Sequence, residues 1–444
     1  MILPIKNKCV RFIFYIIALF PNRTLPMQDR LKFILWFSFY IFYLSASAQV
    51  PGFYMKEERR KVKIPFLDSN NLIIIPVSIN GGPEINFLFD TGVKSNIFFS
   101  KTIADEMDME YTRKLNLVGA DGKTVLSASV SPNNNFDIGP VEGIYQAILV
   151  LDEDFLELEK VIGVPIYGVI GHEFFKKNPI KIDYDNNEIS FYRENALRWR
   201  PFGYRKMDME LIGSKPYIDT EVRQIDGPVI EAKLLIDTGA NHGLLLNRET
   251  SDDITLPPVT LETDLGRSLG GDLYGLVGRV RRLNIEGLKF RNVITSFPDE
   301  TEFSNVIIET GRQGSLGSDL LTRMRLILDY PRGRLLYKKG GKFGQDFDYD
   351  MSGLMVRVFS AEERRFYVSQ VRKNSPAANQ GIELYDEILS INKVPAMFWE
   401  LDDITKMLKS EEGRVITMEL LRQPEEEGAP PQKLRITFVL EKQL

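Results

Sequence analysis

Only one cysteine, Cys9, and two histidines, His172 and His242, occur among the 444 residues. A lone cysteine close to the start cannot form an internal disulfide, and so few thiols and imidazoles give a zinc site little to be built from. No metal and no cofactor is expected. Excess charge is scarce too: 56 Lys and Arg stand against 61 Asp and Glu, leaving a net −5. That balance supplies no field for holding nucleic acid. What is present in ordinary amounts, 43% hydrophobic and 26% charged residues, suits a globular chain long enough for two or three domains.

Residues 1–48 read as a leader. An apolar run from Phe33 to Leu44 follows Arg30 and Lys32 and ends in Ala46-Ser47-Ala48, a small-residue pattern that a signal peptidase could cut before Gln49. Met27 would make a sensible start for it, with the earlier apolar stretch from Phe12 to Phe20 then lying upstream. The run is shorter than the ~20 apolar residues of a spanning helix. The expectation is therefore an exported protein, periplasmic or secreted after cleavage, with a membrane as partner only if the leader stays uncleaved.

Beyond residue 63 the chain repeats itself. Leu88-Phe89-Asp90-Thr91-Gly92 recurs as Leu235-Ile236-Asp237-Thr238-Gly239, 147 positions on. Ile170-Gly171 recurs as Leu316-Gly317, and Ile182-Asp183-Tyr184 as Leu328-Asp329-Tyr330, each 146 positions on. Three landmarks holding one offset to within a residue mark two copies of a single lobe, 64–200 and 201–339. Each copy is β-rich. Leu72 to Ile79 is a β-branched run closed by Asn80-Gly81, and Ile85 to Phe89 then leads into Asp90. Tyr217 to Val222, a turn at Asp226-Gly227-Pro228, and Ile230 to Ile236 repeat that plan before Asp237.

One Asp-Thr-Gly is ordinary turn vocabulary. Two at equivalent places in a tandem repeat can be brought face to face about a pseudo-twofold axis. Asp90 and Asp237 would then share one proton, because two close carboxylates do not both ionise cheaply. Such a pair can activate a water held between them and protonate the leaving amine of a peptide bond. Thr91 and Thr238 can hydrogen-bond across the axis, and Gly92 and Gly239 let backbone approach the carboxylates. The competing reading is that both aspartates merely cap turns. His242 could tune the site electrostatically; a surface or structural role is the other reading, and triad membership is not expected.

These residues resemble the retropepsin-like aspartyl proteases found as pseudo-dimers in bacteria, over about residues 64 to 339. The resemblance implies a mainly β, two-lobed acid-protease fold with a β-barrel in each lobe. It also implies glycine-bearing flaps over a peptide or unfolded protein substrate, with Gly119 and Gly122 in the first lobe and Gly270 and Gly271 in the second. Ile170-Gly171 and Leu316-Gly317 are expected beneath the active-site loops. Val93 departs from the pattern, which usually has Ala or Ser there; it adds bulk beside the pair and supplies no hydroxyl. The second copy keeps the usual Ala240.

Lys338 to Gly344 reads as a flexible basic linker. From residue 345 to 444 the chain is similar to a bacterial-type PDZ domain, an α+β unit. Asn374-Ser375-Pro376-Ala377-Ala378 and Asp386-Glu387-Ile388-Leu389-Ser390-Ile391-Asn392 carry that similarity. Tyr385 and Lys393 stand where the family commonly has glycine. An apolar stripe of Leu401, Ile404, Met407 and Leu408 predicts a helix. A PDZ domain takes an extended peptide as an added strand, so a C-terminal peptide is the expected partner. Leu354 and Met355, after Gly353, would receive its carboxylate. The alternative is a domain that packs against the lobes with its groove empty or filled by its own chain. Gln423 to Pro431 is read as solvated surface. The leading function is an aspartic endopeptidase whose PDZ-like domain recruits substrate. The other is a non-enzymatic peptide-binding protein on a degenerate protease fold.

Overall fold

Asn80 (φ +53°) and Gly81 (φ +80°) turn strand Leu72–Ile79 back onto strand Glu84–Phe89. Two consecutive positive φ values match the twist of a tight hairpin, which is why Asn-Gly serves here. The computed structural model describes residues 50–118, 125–268, 271–300, 304–424 and 429–444. Among them no helix is long and apolar enough to cross a membrane. Gly119, Gly122 and Gly270, three of the four flap glycines, lie outside the described residues, as does the leader.

Strand Leu72–Ile79 buries six of its eight residues, as the centre of a sheet packed on both faces would. Its sheet is closed. Neighbours run 141–151, 96–98, 168–170, 84–89, 72–79 and 125–138, and the last pairs again with the first. The second lobe repeats the ring with 288–298, 244–246, 314–316, 229–236, 215–223 and 271–285. Closure gives every strand of each ring a neighbour on both sides. Strand Gly52–Met55, upstream of the first repeat landmark, pairs with residues 141–144 and is built into the first barrel.

The lobes meet in a third sheet of six strands, three from each. Strand Ile180–Asp183 lies antiparallel to strand Met324–Asp329, with Lys181 opposite Ile327, Ile180 opposite Leu328 and Ile182 opposite Leu326. Ile180 and Leu326, like Ile182 and Leu328, are repeat equivalents, so the pseudo-twofold axis passes through the Lys181–Ile327 pair. The aspartates of the two repeated Asp-Tyr motifs serve this sheet. Asp183 pairs with Lys181 at 2.6 Å and Asp329 with Arg334 at 2.7 Å. Buried charges are kept only when paired in this way.

Residues 354–360, 365–371, 387–391, 415–422 and 432–439 form a separate open sheet, with helix Leu401–Leu408 against it. All four residues of the predicted stripe are buried. Tyr385 (φ +67°) and Lys393 (φ +69°) occupy left-handed backbone, so the two departures from glycine keep the turns at a cost of about 1–2 kcal/mol each.

The expected flexible linker is instead pinned. The Gly340 amide donates to Arg323 O and the Gly341 amide to Asp185 Oδ1. The Arg323 guanidinium donates to the carbonyls of Gln345 and Asp346 and lies over the Phe347 ring, 3.6 Å from its centroid. Arg279 donates to Phe347 O. Phe347 is 4% exposed and joins the core of the lobes. A glycine-rich sequence does not foretell this, because the anchors are arginines far away in the chain. Phe347→Ala is accordingly expected to cost about 3–5 kcal/mol, whereas Phe202→Ala at a fully exposed ring should stay within about 0.5 kcal/mol. Denaturant unfolding of the two variants checks the contrast.

Candidate active site

Each Asp-Thr-Gly follows the strand that feeds it and rests on the apolar-Gly strand beneath. Strand Gly168–Ile170 runs parallel to Glu84–Phe89, and the Asp90 amide donates to Ile170 O at 3.0 Å. Strand Gly314–Leu316 does the same for Val229–Ile236, with the Asp237 amide on Leu316 O at 2.9 Å. Gly171 and Gly317 are required there. A Cβ would come within 2.6 Å of Val93 O in the first lobe and 2.2 Å of His242 O in the second.

The two loops are locked by reciprocal bonds. The Thr91 amide donates to Thr238 Oγ1 and the Thr238 amide to Thr91 Oγ1, both at 3.1 Å. Each hydroxyl then donates to the opposite strand, Thr91 to Ile236 O at 2.6 Å and Thr238 to Phe89 O at 2.8 Å. Both threonines are fully buried. A hydroxyl gives one proton and accepts others, so four bonds satisfy two side chains and tie two lobes.

The carboxyl groups face each other above this lock. Gly92 N donates to Asp90 Oδ1 at 2.6 Å and Gly239 N to Asp237 Oδ1 at 3.1 Å. A Cβ on Gly239 would stand 2.3 Å from Asp90 Cγ, and one on Gly92 3.0 Å from Asp237 Oδ1. Each glycine thus makes room for the opposite aspartate. Burial, and then the negative charge and hydrogen bond of Asp237, hold the Asp90 carboxyl well above the usual carboxylate range. A raised pKa is what a proton-sharing pair requires.

A cavity of about 270 Å3 opens beside Asp237. Leu88, Leu158 and Ile162 line it from the first lobe, and Leu235, Leu265 and Leu273 from the second. Asp90 is 8% exposed, and Asp237 is the member of the pair that lines the cavity. The wall is mainly apolar, and Asn241, His242, Asn247, Glu249, Asp299 and Arg312 are among the polar residues that complete it.

The sequence-derived site residues fall into three groups. Asp90, Thr91, Gly92, Asp237, Thr238 and Gly239 come together. Of the flap glycines, Gly271 opens the return strand Gly271–Ile285 of a hairpin with strand Leu261–Ser268. Gly353, Leu354 and Met355 begin the edge strand of the PDZ sheet, but two of their amides are already engaged. Gly353 N donates to Asp350 Oδ2 at 2.7 Å and Leu354 N to Ser352 Oγ at 3.0 Å. Of the two amides expected to receive a peptide carboxylate, those of Leu354 and Met355, the first thus already has a partner. A local Asp and Ser satisfy the loop, and the motif Gly-Leu-Met gives no sign of it.

His242 is half-buried. It lines the cavity, its Nε2 lies 3.1 Å from Ser315 Oγ, and burial pushes its pKa down despite Asp237 nearby. Gly266-Arg267-Ser268-Leu269-Gly270 does spell the Gly-Xaa-Ser-Xaa-Gly of serine hydrolases. Ser268, however, ends a strand of an antiparallel hairpin, not the strand-to-helix elbow that such a nucleophile needs. Val93 packs against the cluster of Leu72, Ile74 and Leu88, and its carbonyl accepts the His172 amide at 3.0 Å. Sequence reasoning passed over Lys215. Burial and the neighbouring Arg312 lower its pKa, and the charges of Asp90 and Asp237 act against them. Nothing in the turn Gly213-Ser214-Lys215 signals that placement.

The aspartyl protease family model matches residues 75–174 and 223–320, once in each lobe, and the PDZ domain model matches residues 367–422. The chain thus has a two-lobed, retropepsin-like fold with an aspartyl protease match in each lobe, followed by a PDZ domain. Among solved structures it is similar to the basic 7S globulin from soybean, at 11% identity and a TM-score of 0.39 over 65% of this chain and 99% of that one. It is also similar to the aspartic proteinase from Irpex lacteus, at 11% identity and a TM-score of 0.40 over 64% and 99%. No curated protein matches the sequence.

Proposed function

We propose that the chain is an exported aspartic endopeptidase working through Asp90 and Asp237. The observation that carries this reading is the pair of carboxyls set against opposite glycines, above reciprocal threonine bonds, with Asp237 open to an apolar cavity. The two carboxyls share one proton; Asp237, the member that lines the cavity, serves as the base and Asp90 as the acid. Asp237, ionised, removes a proton from a water as its oxygen bonds to the amide carbon. Asp90 gives its proton to the carbonyl oxygen, which produces a neutral tetrahedral diol. Asp237 then passes the proton it gained to the amine as the C–N bond breaks, and Asp90 recovers one from the diol. The basic residues, apolar run and Ala46-Ser47-Ala48 of the leader support export. The PDZ domain is the peptide-binding module, and recruitment of a substrate's C-terminal segment is the role it would serve.

Incubation with an unfolded protein mixture, followed by sequencing of the fragments, tests the reading. The rate should trace a bell whose two limbs belong to the pair, with its optimum on the acid side of neutrality. A rate that climbs steadily into alkaline pH would point to another catalytic group. A chain that binds such peptides without cutting them would be the non-enzymatic protein instead.

A further inference from the structure

Among the described residues, strand Leu354–Ser360 has no strand partner on its outer side, and that edge is where an extended peptide would add itself to a PDZ sheet. Here the edge is covered from within the chain. Helix Leu158–Ile162 of the first lobe packs against the strand. Glu159 Oε1 accepts the Ala361 amide, just past the strand's end, at 3.0 Å. A Cβ on Gly163 would stand 2.7 Å from that of Leu401, at the head of the PDZ helix that flanks the strand. At the other end of the edge, the Asp350 carboxylate takes the Gly353 amide and pairs with Arg372 at 2.9 Å. An incoming terminal carboxylate would find the Gly353 amide already taken.

The covering helix has a second face. Leu158, Val161 and Ile162 line the cavity beside Asp237. The PDZ domain also holds the opposite lip of that cavity. Arg357 pairs with Asp264 at 2.9 Å, both largely buried, and Gln370 Oε1 accepts from Thr263 Oγ1 at 3.3 Å and from the Asp264 amide at 3.4 Å. Thr263 and Asp264 lie in strand Leu261–Ser268, and the next two residues, Leu265 and Gly266, line the cavity. One domain therefore grips a cavity-lining segment from each lobe.

We propose that the PDZ edge strand takes the chain's own Leu158–Ile162 helix as its resident ligand and clamps both lips of the cleft through it. An extended peptide that pairs with strand Leu354–Ser360 must displace the helix, which frees the lips. Because the two events are linked, whatever loosens the helix tightens peptide binding by the same factor. The proposal names a regulation of the site read above as a peptidase cleft, but its test is independent of catalysis.

The probe is an acetylated and amidated synthetic peptide copying residues 155–166, added to the Asp90→Asn full chain so that nothing is cut. Two measurements are made: binding by calorimetry and hydrogen exchange along the chain. Saturating peptide should speed exchange in residues 157–163 and 261–264. The variant Glu159→Ala/Asp264→Asn, altered only on the protease side, should bind the peptide at least tenfold tighter than its parent. Should that variant fold poorly, exchange in the parent decides. Equal affinity in parent and variant, no binding to either, or bound peptide with unchanged exchange in both segments would overturn the clamp. If the exchange changes but the wild-type chain cleaves no substrate at any pH, the clamp stands and the peptidase reading falls.

Discussion

Asp90→Asn and Asp237→Asn should each lower peptide hydrolysis on the order of a thousandfold or more, because neither carboxyl alone can serve as both acid and base. The fold should survive, since Asn keeps an oxygen for the Gly92 or Gly239 amide. Asp90→Asn should also melt higher than wild type at neutral pH. The native pKa of Asp90 is raised above its unfolded value, so the native state binds the proton more tightly than the unfolded chain does. The stability this confers is complete below the unfolded pKa of about 4 and is lost as pH rises through the native value. Asn never ionises and escapes that loss. The gain in melting temperature should therefore shrink as the pH is lowered toward about 4. Thermal melts across pH, beside turnover assays, check both halves. Full activity in well-folded Asp90→Asn would remove the pair from the chemistry.

Gly239→Ala should be nearly as damaging, and by a different route. The new Cβ would lie 2.3 Å from Asp90 Cγ, a distance no real contact tolerates, so the carboxyl must move. A shift of about 1 Å at a reacting group costs roughly a hundredfold in rate, and the crowding adds about 1–3 kcal/mol of destabilisation. Gly92→Ala meets Asp237 at 3.0 Å and should be milder on both counts. The asymmetry is the informative part. Equal losses in the two variants would mean that the loops are set equally closely around Asp90 and Asp237.

The duplicated lobe and its two aspartates were legible because a tandem repeat leaves the same landmarks twice. Asp90 and Asp237 sit 147 residues apart, and Thr91 bonds Thr238 across that interval. Two lobes related by twofold symmetry meet at equivalent points, so the repeat offset itself tells which residues will face each other. The PDZ core was legible for a related reason, since Leu401, Ile404, Met407 and Leu408 recur at helical spacing. What the chain hid were contacts between non-equivalent parts. Phe347 is buried under Arg323 and Arg279, Arg357 reaches Asp264, and Glu159 reaches the Ala361 amide. Each depends on how finished units dock, which leaves no periodicity and no motif. Lys215 went unread for the same reason: its place near Asp90 and Asp237 is set by neighbours far along the chain.

A single-turnover digestion in 18O-labelled water tests the central claim most directly. The protein, in excess over an unfolded substrate and near its optimal pH, is allowed to cut each bond once, and the fragments are weighed. Direct attack by a water held between Asp90 and Asp237 predicts one 18O in every new C-terminal carboxylate from the first turnover, no substrate fragment attached to the protein, and no cleavage by Asp90→Asn. Cleavage that survives in Asp90→Asn, or a fragment found covalently bound to the protein, would contradict it.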